Sequence, residues 1–160
     1  MNQLVLERLQ AQFPASIRGS EEFRNDLTIT VRTADLVPVA RFLKEDPALA
    51  FDMIIDICGV DRFRDEERFE IIYNLYSLSH KIYLRLKVLV NEADPTVPTL
   101  TGVWPGADWH ERETFDMLGI KFSGHPDLRR LYMPEEFEYY PLRKDFPLTG
   151  IPDSLPLPRR

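Results

Sequence analysis

Residues with chemical potential crowd one stretch, Trp104 to Gly150, where His110, Glu111, Glu113, Asp116, His125, Asp127, Arg129, Arg130, Arg143, Lys144 and Asp145 alternate with aromatic side chains. His110, Glu113, His125 and Asp127 are all metal-ligand types. Their spacing argues against a metal site: His110 and Glu113 share a helix face at i, i+3, but no His-x-x-x-His pair exists and no Cys lies nearby. A small metal-dependent hydrolase using His110, Glu113 and His125 is the alternative from a different functional class. Glu111 and Glu113 would point ~200° apart on a helix, so they cannot converge on one substrate atom as an acid–base pair. The segment from Gly102 to Gly106, GVWPG, follows no strand and contains Pro105, so it is not a dinucleotide loop, and no P-loop or GxSxG is present.

Arg129, Arg130, Arg143 and Lys144 among Tyr132, Phe137, Tyr139, Tyr140 and Phe146 have the composition of a nucleic-acid strip, but Glu135, Glu136 and Glu138 sit between them and would repel phosphates. No nucleic-acid partner is expected. A protein interface fits best, since aromatic and Arg anchors in an extended segment are what ordered interfaces use.

Asp108 followed by Glu111 reads as a capping box, and Gly119 as the residue that stops a helix over Trp109–Leu118. Phe115 and Leu118, with Trp109 nearby, are expected to face inward, and Arg112 and Asp116 can pair at i, i+4. His125 before Pro126 reads as a turn residue that bonds backbone, and His80 as a solvated hairpin residue.

The elements that must position this stretch come earlier. Residues 3 to 13 form a short amphipathic helix with Leu6, Leu9 and Phe13 on one side. Ser16–Phe23 and Asp26–Arg32 read as two strands joined at Arg24–Asn25, the second alternating Leu27, Ile29 and Val31 against Thr28, Thr30 and Arg32. Asp35 is placed to cap a helix carrying Leu36, Val39, Ala40 and Leu43 on one face, with Pro38 in its first turn. Phe51–Val60, Phe69–Leu78 and Ile82–Val90 read as a three-stranded meander. The order helix, two strands, helix, three strands predicts an α+β fold, a two-layer sandwich with both helices on one face of the sheet.

We divide the chain into an α+β domain at 1–92, a connector and capped helix at 93–120, and an extended docking arm at 121–160. Ten of the 13 Pro residues, from Pro95 to Pro158, lie beyond residue 92, so the later part must gain its order by packing on a body.

The 160-residue chain has 44% hydrophobic and 29% charged residues and a net charge of -6, values of a folded globular protein without general attraction to nucleic acid or anionic lipid. Apolar runs are too short for a membrane-spanning helix, and Glu7 and Arg8 interrupt any signal-peptide core, so cytoplasmic residence is expected. The single Cys58 excludes an intrachain disulfide and an all-Cys iron–sulfur cluster held by this chain alone.

ERETFDMLGIKFSGHPDLRRLY (Glu111–Tyr132) closely resembles the signature of the C subunit of NADH:quinone oxidoreductase, respiratory complex I. PLRKDFPLTG (Pro141–Gly150) resembles that family's second block, and FDMIIDICGVD (Phe51–Asp61) its strand-and-turn segment. The resemblance implies a non-catalytic peripheral-arm subunit on the cytoplasmic side of the membrane. It would bind no cofactor itself and pack chiefly on the quinone-site (D) subunit, beside iron–sulfur subunits, touching the membrane only through the complex. FMN, iron–sulfur clusters, NADH and quinone would belong to other subunits of this proton-translocating complex.

The family's functional positions carry over to Glu111, Arg112, Glu113, Asp116, Gly119, His125, Pro126, Asp127, Arg129 and Arg130, and to Pro141, Leu142, Arg143, Lys144 and Asp145. All are expected to serve interface and turn stabilisation, none as a catalytic residue. The chain is shorter than many such relatives, and related ferredoxin-fed complexes and membrane-bound hydrogenases use similar subunits.

Overall fold

The structure is a computed structural model describing residues 1–147 and Gly150; Leu148, Thr149 and the stretch from 151 to 160 lie outside the described residues. Alternating apolar residues build the sheet. β1 (Ile17–Phe23), β2 (Asp26–Val31), β3 (Met53–Asp61), β4 (Phe69–Ser77) and β5 (Ile82–Val90) assemble in the order β1-β2-β5-β4-β3. β3, β4 and β5 form the antiparallel meander, while β2 joins β5 in parallel. β2 and β3 therefore run the same way at separate positions, so the chain between them must cross the sheet. Helix α2 (Leu36–Glu45) makes that crossover.

Register sets the faces. Ile29, Leu86, Tyr73 and Ile57 line up across four strands, and Val88, Ile71 and Gly59 form the next row on the same face. Opposite them Thr28, Arg85, Asn74 and Asp56 form a polar row, with Asn74 donating to Asp56 at 2.5 Å. The inward rows share one core with Val5 and Leu9 of α1 (Asn2–Gln12) and with the predicted face of α2, Leu36, Val39, Ala40 and Leu43. In α1 the fully buried pair is Val5 and Leu9, with Leu6 and Phe13 only partly covered. This is the expected two-layer α+β arrangement, and the Arg24–Asn25 turn takes positive φ at both residues, as the twist of a two-residue hairpin demands.

The core continues past residue 92. Val97, Leu100, Val103, Trp104, Ala107, Leu118, Ile120 and Phe122 are buried in the same cluster. Two three-residue strands, β6 (Thr96–Pro98) and β7 (Lys121–Ser123), pair in parallel and flank α3 (Ala107–Leu118). α3 lies so close to β3 that a Cβ on Gly59 would meet Thr114 Cγ2 at 2.9 Å.

Several local expectations need correction. Asp35 occupies the N-cap position of α2 without capping it, because its carboxylate pairs with Arg32 at 2.8 Å. Helix α3 begins at Ala107 with Gly106 at its N-cap, so Asp108 lies in the first turn, and no capping box forms because Glu111 points into the core. Trp109 is 64% exposed, and the buried face of α3 carries Glu111, Arg112, Thr114 and Asp116 beside Ala107 and Leu118. Arg112 and Asp116 do not pair, since each is engaged by the arm.

Candidate docking site

An α-helix leaves its last four carbonyls without intrahelical partners. In α3 these belong to Phe115, Asp116, Met117 and Leu118, and following residues satisfy each one. Gly119 N–H donates to the Phe115 carbonyl at 2.8 Å, Arg130 to that of Asp116 at 3.2 Å, Leu142 N–H to that of Met117 at 3.1 Å, and Arg143 Nε to that of Leu118 at 2.7 Å. The body on which the arm packs is thus, in the first place, the end of this chain's own helix.

The side chain of Asp116 is the main anchor. It is fully buried, and its Oδ2 accepts the backbone N–H groups of Leu131, Tyr132 and Met133 at 3.0, 2.7 and 3.0 Å. Its Oδ1 pairs with Arg130 at 2.7 Å. Burial works against its charge, but those three N–H groups and Arg130 outweigh burial and hold its pKa below the usual carboxylate value.

Asp61 forms a second anchor. Alternation places it on the core face of β3 beside Phe69, where a lone charge would be costly. It is matched by Arg68, whose Nη2 lies 2.7 Å from Asp61 Oδ2, and it accepts the N–H groups of Lys144 and Phe63 at 2.8 Å each. Burial opposes ionisation here too, but Arg68 and the two N–H groups bring the Asp61 pKa down to about 2. Arg68 also reaches Asp145 at 3.1 Å and Glu92 at 2.6 Å, tying the second block to the sheet.

Aromatic rings fill the space between the anchors. The Arg143 guanidinium lies 4.7 Å from the Tyr140 ring centroid and 5.1 Å from that of Phe69, and Arg130 lies 5.3 Å from Tyr140. Gly119, at φ 76°, ends α3 in the left-handed region as predicted. A Cβ there would come within 2.6 Å of the Tyr140 ring, so glycine is needed for space as well as for backbone.

The predicted site residues therefore divide in two. Glu111, Arg112, Asp116, Gly119, Arg130 and Arg143 turn inward: Arg112 donates to the Arg129 carbonyl at 3.2 Å and stacks on Trp109. Glu111 receives Thr99 Oγ1 at 2.5 Å and Leu100 N–H at 2.7 Å. His125 accepts the Asp127 N–H through Nδ1 at 3.0 Å, the turn role expected of it. Glu113, Pro126, Asp127, Arg129, Leu142, Lys144 and Asp145 are exposed, with Asp127 and Arg129 paired to each other, and Pro141 is half-buried. Exposed Glu113 and buried Glu111 diverge, and among the described residues no group of three His, Cys, Asp or Glu side chains comes together to hold a metal. Sequence reasoning missed Asp61, Arg68 and Glu92 as arm anchors. The readable signal was Asp61 itself, a charge at the inward position after Ile57 and Gly59.

The outer surface of the folded arm mixes charged side chains, Glu135, Glu136, Glu138 and Lys144 among them, with large apolar ones, to which α3 adds Trp109. Trp109, Tyr132 and Leu142 are at least 60% exposed, and Tyr139 lies near them in the chain at 47%. Such residues anchor protein interfaces. No described helix is long and apolar enough to cross a membrane.

Residues 29–152 match the family profile described as the respiratory-chain NADH dehydrogenase, 30 Kd subunit. The chain is 55% identical over 147 residues to the C subunit of the NADH-quinone oxidoreductase of Roseiflexus sp. (strain RS-1), covering 92% of this chain and 84% of that protein. It is 42% identical over 155 residues to the protein of the same name in Geotalea uraniireducens (strain Rf4), covering 97% and 93%. Among solved structures it resembles Nqo5 of a trypsin-resistant fragment, with a TM-score of 0.66 and 31% identity, covering 80% of this chain and all of that one. It shares its fold, at 22% identity and a TM-score of 0.77, with a chain of the membrane-bound sulfane sulfur reductase, covering 91% of this chain and 85% of that one. With its signature block seated on α3 and its sequence matched from β2 through the second block, the chain belongs to the 30 kDa (C) subunit family of the respiratory-chain NADH dehydrogenase, complex I.

Proposed function

We propose that the chain is a non-catalytic structural subunit in the peripheral arm of a proton-translocating NADH:quinone oxidoreductase, on the cytoplasmic side of the membrane. Its arm docks on the subunit that carries the quinone site. Electrons pass from NADH to quinone through FMN and iron–sulfur clusters held by other subunits. One observation carries this reading: the buried polar side chains of the signature block, Glu111, Arg112 and Asp116, are bonded within the chain, while Trp109, Tyr132, Tyr139 and Leu142 remain on the outside. A catalytic site would aim its carboxylates at an open cleft, whereas here Asp116 and Asp61 hold the arm and the exposed rings remain for a partner.

The test is site-specific photo-crosslinking in the native membrane, with the reactive group placed at Trp109, Tyr132 or Leu142. Adducts to the quinone-site subunit are expected. Adducts arising only from the opposite sheet face, at Tyr83 or Arg85, would overturn the proposal.

A further inference from the structure

We propose that Glu111 is a buried proton-binding site: its carboxyl group holds a proton inside the folded chain and exchanges it with solvent through the paired hydroxyls of Thr99 and Thr101. The carboxyl is fully buried between α3, the loop after β6 and the turn after β7. Its Oε1 accepts Leu100 N–H at 2.7 Å, and its Oε2 lies 2.5 Å from Thr99 Oγ1. Thr99 Oγ1 in turn lies 2.9 Å from Thr101 Oγ1 and accepts the Thr101 N–H at 3.1 Å.

Among the described residues no Lys or Arg is paired with this carboxyl. From α3 comes Asp108, whose buried Oδ1 has no hydrogen-bond partner among those residues, and from β4 comes the phenol of Tyr73, buried and unpartnered in the same sense. From the turn after β7 comes the fully buried side chain of His125, its Nε2 3.9 Å from Glu111 Oε2 and 3.5 Å from Asp108 Oδ1. His125 Nδ1 accepts the Asp127 N–H, which assigns the ring proton to Nε2, directed at the Asp108 carbonyl 3.3 Å away. That N–H is directed at a backbone carbonyl and makes no hydrogen bond to Glu111.

Both protonation states satisfy the hydroxyl pair. With Glu111 ionised, Thr99 donates to the carboxylate and accepts from the Thr101 hydroxyl. With Glu111 protonated, the carboxyl donates to Thr99 and the Thr99 hydroxyl turns to donate to Thr101. The relay reverses without leaving a donor idle, and Thr101 is half-exposed, so the proton has a way out. Burial, only partly offset by Thr99 and Leu100, pushes the Glu111 pKa up from 4.5 to about 7. Ionisation therefore weakens the seat of the β6–α3 loop at near-neutral pH.

A raised carboxyl pKa stabilises the fold fully below the unfolded value and loses that contribution as pH climbs to the folded one. The folding equilibrium constant of the full chain is thus expected to fall by about 300-fold in all from below pH 4 to above pH 8, about 80-fold of it between pH 4.5 and pH 7. The Glu111 carboxyl is followed by carbon-13 shift in selectively labelled full-length chain, assigned by its loss in Glu111→Gln. A single titration near pH 7 is expected, and Thr99→Val should move it upward by removing a donor to the carboxylate. Glu111→Gln should abolish the stability decline between pH 5 and pH 7. A carboxylate already ionised at pH 5, an unmoved midpoint in Thr99→Val, or an equal decline in Glu111→Gln would each overturn the proposal. Should Glu111→Gln not fold, the wild-type and Thr99→Val titrations decide, since Thr99→Val alone should displace the resonance's midpoint.

Discussion

Asp116→Ala is expected to free the arm while leaving the sheet intact. The carboxylate accepts three consecutive backbone N–H groups and one guanidinium N–H, and all four bonds vanish together in the alanine variant. Hydrogen bonds to a charged group contribute ~1.5–3 kcal/mol each, but the freed N–H groups regain water once the segment lifts. The loss is therefore set by the docking free energy of the segment and not by the sum of bonds. Breaking a buried ion pair from one side costs ~3–5 kcal/mol, and the lower figure is the better guide because Arg130 also bonds the carbonyls of Asp116 and Tyr139. A loss of ~3 kcal/mol corresponds to about 150-fold in a local opening equilibrium. Amide hydrogen exchange in the full chain reads this directly. Leu131, Tyr132 and Met133 should lose about two orders of magnitude of protection while Ile71 and Leu86 in the sheet keep theirs. Asp116→Asn should fall between, because its carbonyl still accepts N–H groups while its amide cannot pair with Arg130. Unchanged exchange at residues 131–133, or an equal loss in β4 and β5, would refute the anchoring role.

Three further outcomes follow from single features. Asp61 has its pKa lowered from 3.8 to about 2, so its contribution of roughly 2 kcal/mol is present above pH 4 and lost as pH falls toward 2; acid unfolding of Asp61→Asn should be correspondingly flatter, and an unchanged acid limb would count against the anchor. Gly119→Ala meets both the left-handed backbone and the Tyr140 ring, so its melting temperature should fall by an amount equivalent to ~2–4 kcal/mol, whereas Gly102→Ala, with open space around it, should be near neutral. Tyr73→Phe removes a buried hydroxyl with no partner among the described residues, so denaturant unfolding should show equal or greater stability, by up to ~1 kcal/mol; a loss above that range would show that the hydroxyl is bonded.

The sheet was legible because it is one-sided. Leu27, Ile29 and Val31 alternate with polar residues, and Leu84, Leu86 and Val88 alternate with Arg85 and Lys87, which specifies the inward face, whereas the parallel pairing of β2 with β5 needed the fold. The three-residue strands β6 and β7 are too short to show a period, and no pattern announced them. Helix α3 misled for a physical reason: its buried side carries Glu111, Arg112, Thr114 and Asp116, so an apolar-face reading turned Trp109 the wrong way. Glu111 can be buried because Thr99 and Leu100 bond it, and the other polar residues because their partners are backbone groups far along the chain. Leu131 to Met133 bind Asp116, and Lys144 binds Asp61 across 83 residues. No local rule connects such positions. The signature block could be read as a family mark from its residues alone, whereas its first partner, the end of its own helix, needed the fold.

The most direct measurement is purification of the tagged chain from native membranes under conditions that keep large assemblies intact. The chain should emerge with flavin- and iron–sulfur-containing subunits and with NADH:quinone activity in the same fractions, and an outward variant such as Trp109→Ala combined with Leu142→Ala should lose both while its own sheet stays folded. Recovery of the unaltered chain alone, as a soluble monomer with the activity elsewhere, would contradict the assignment.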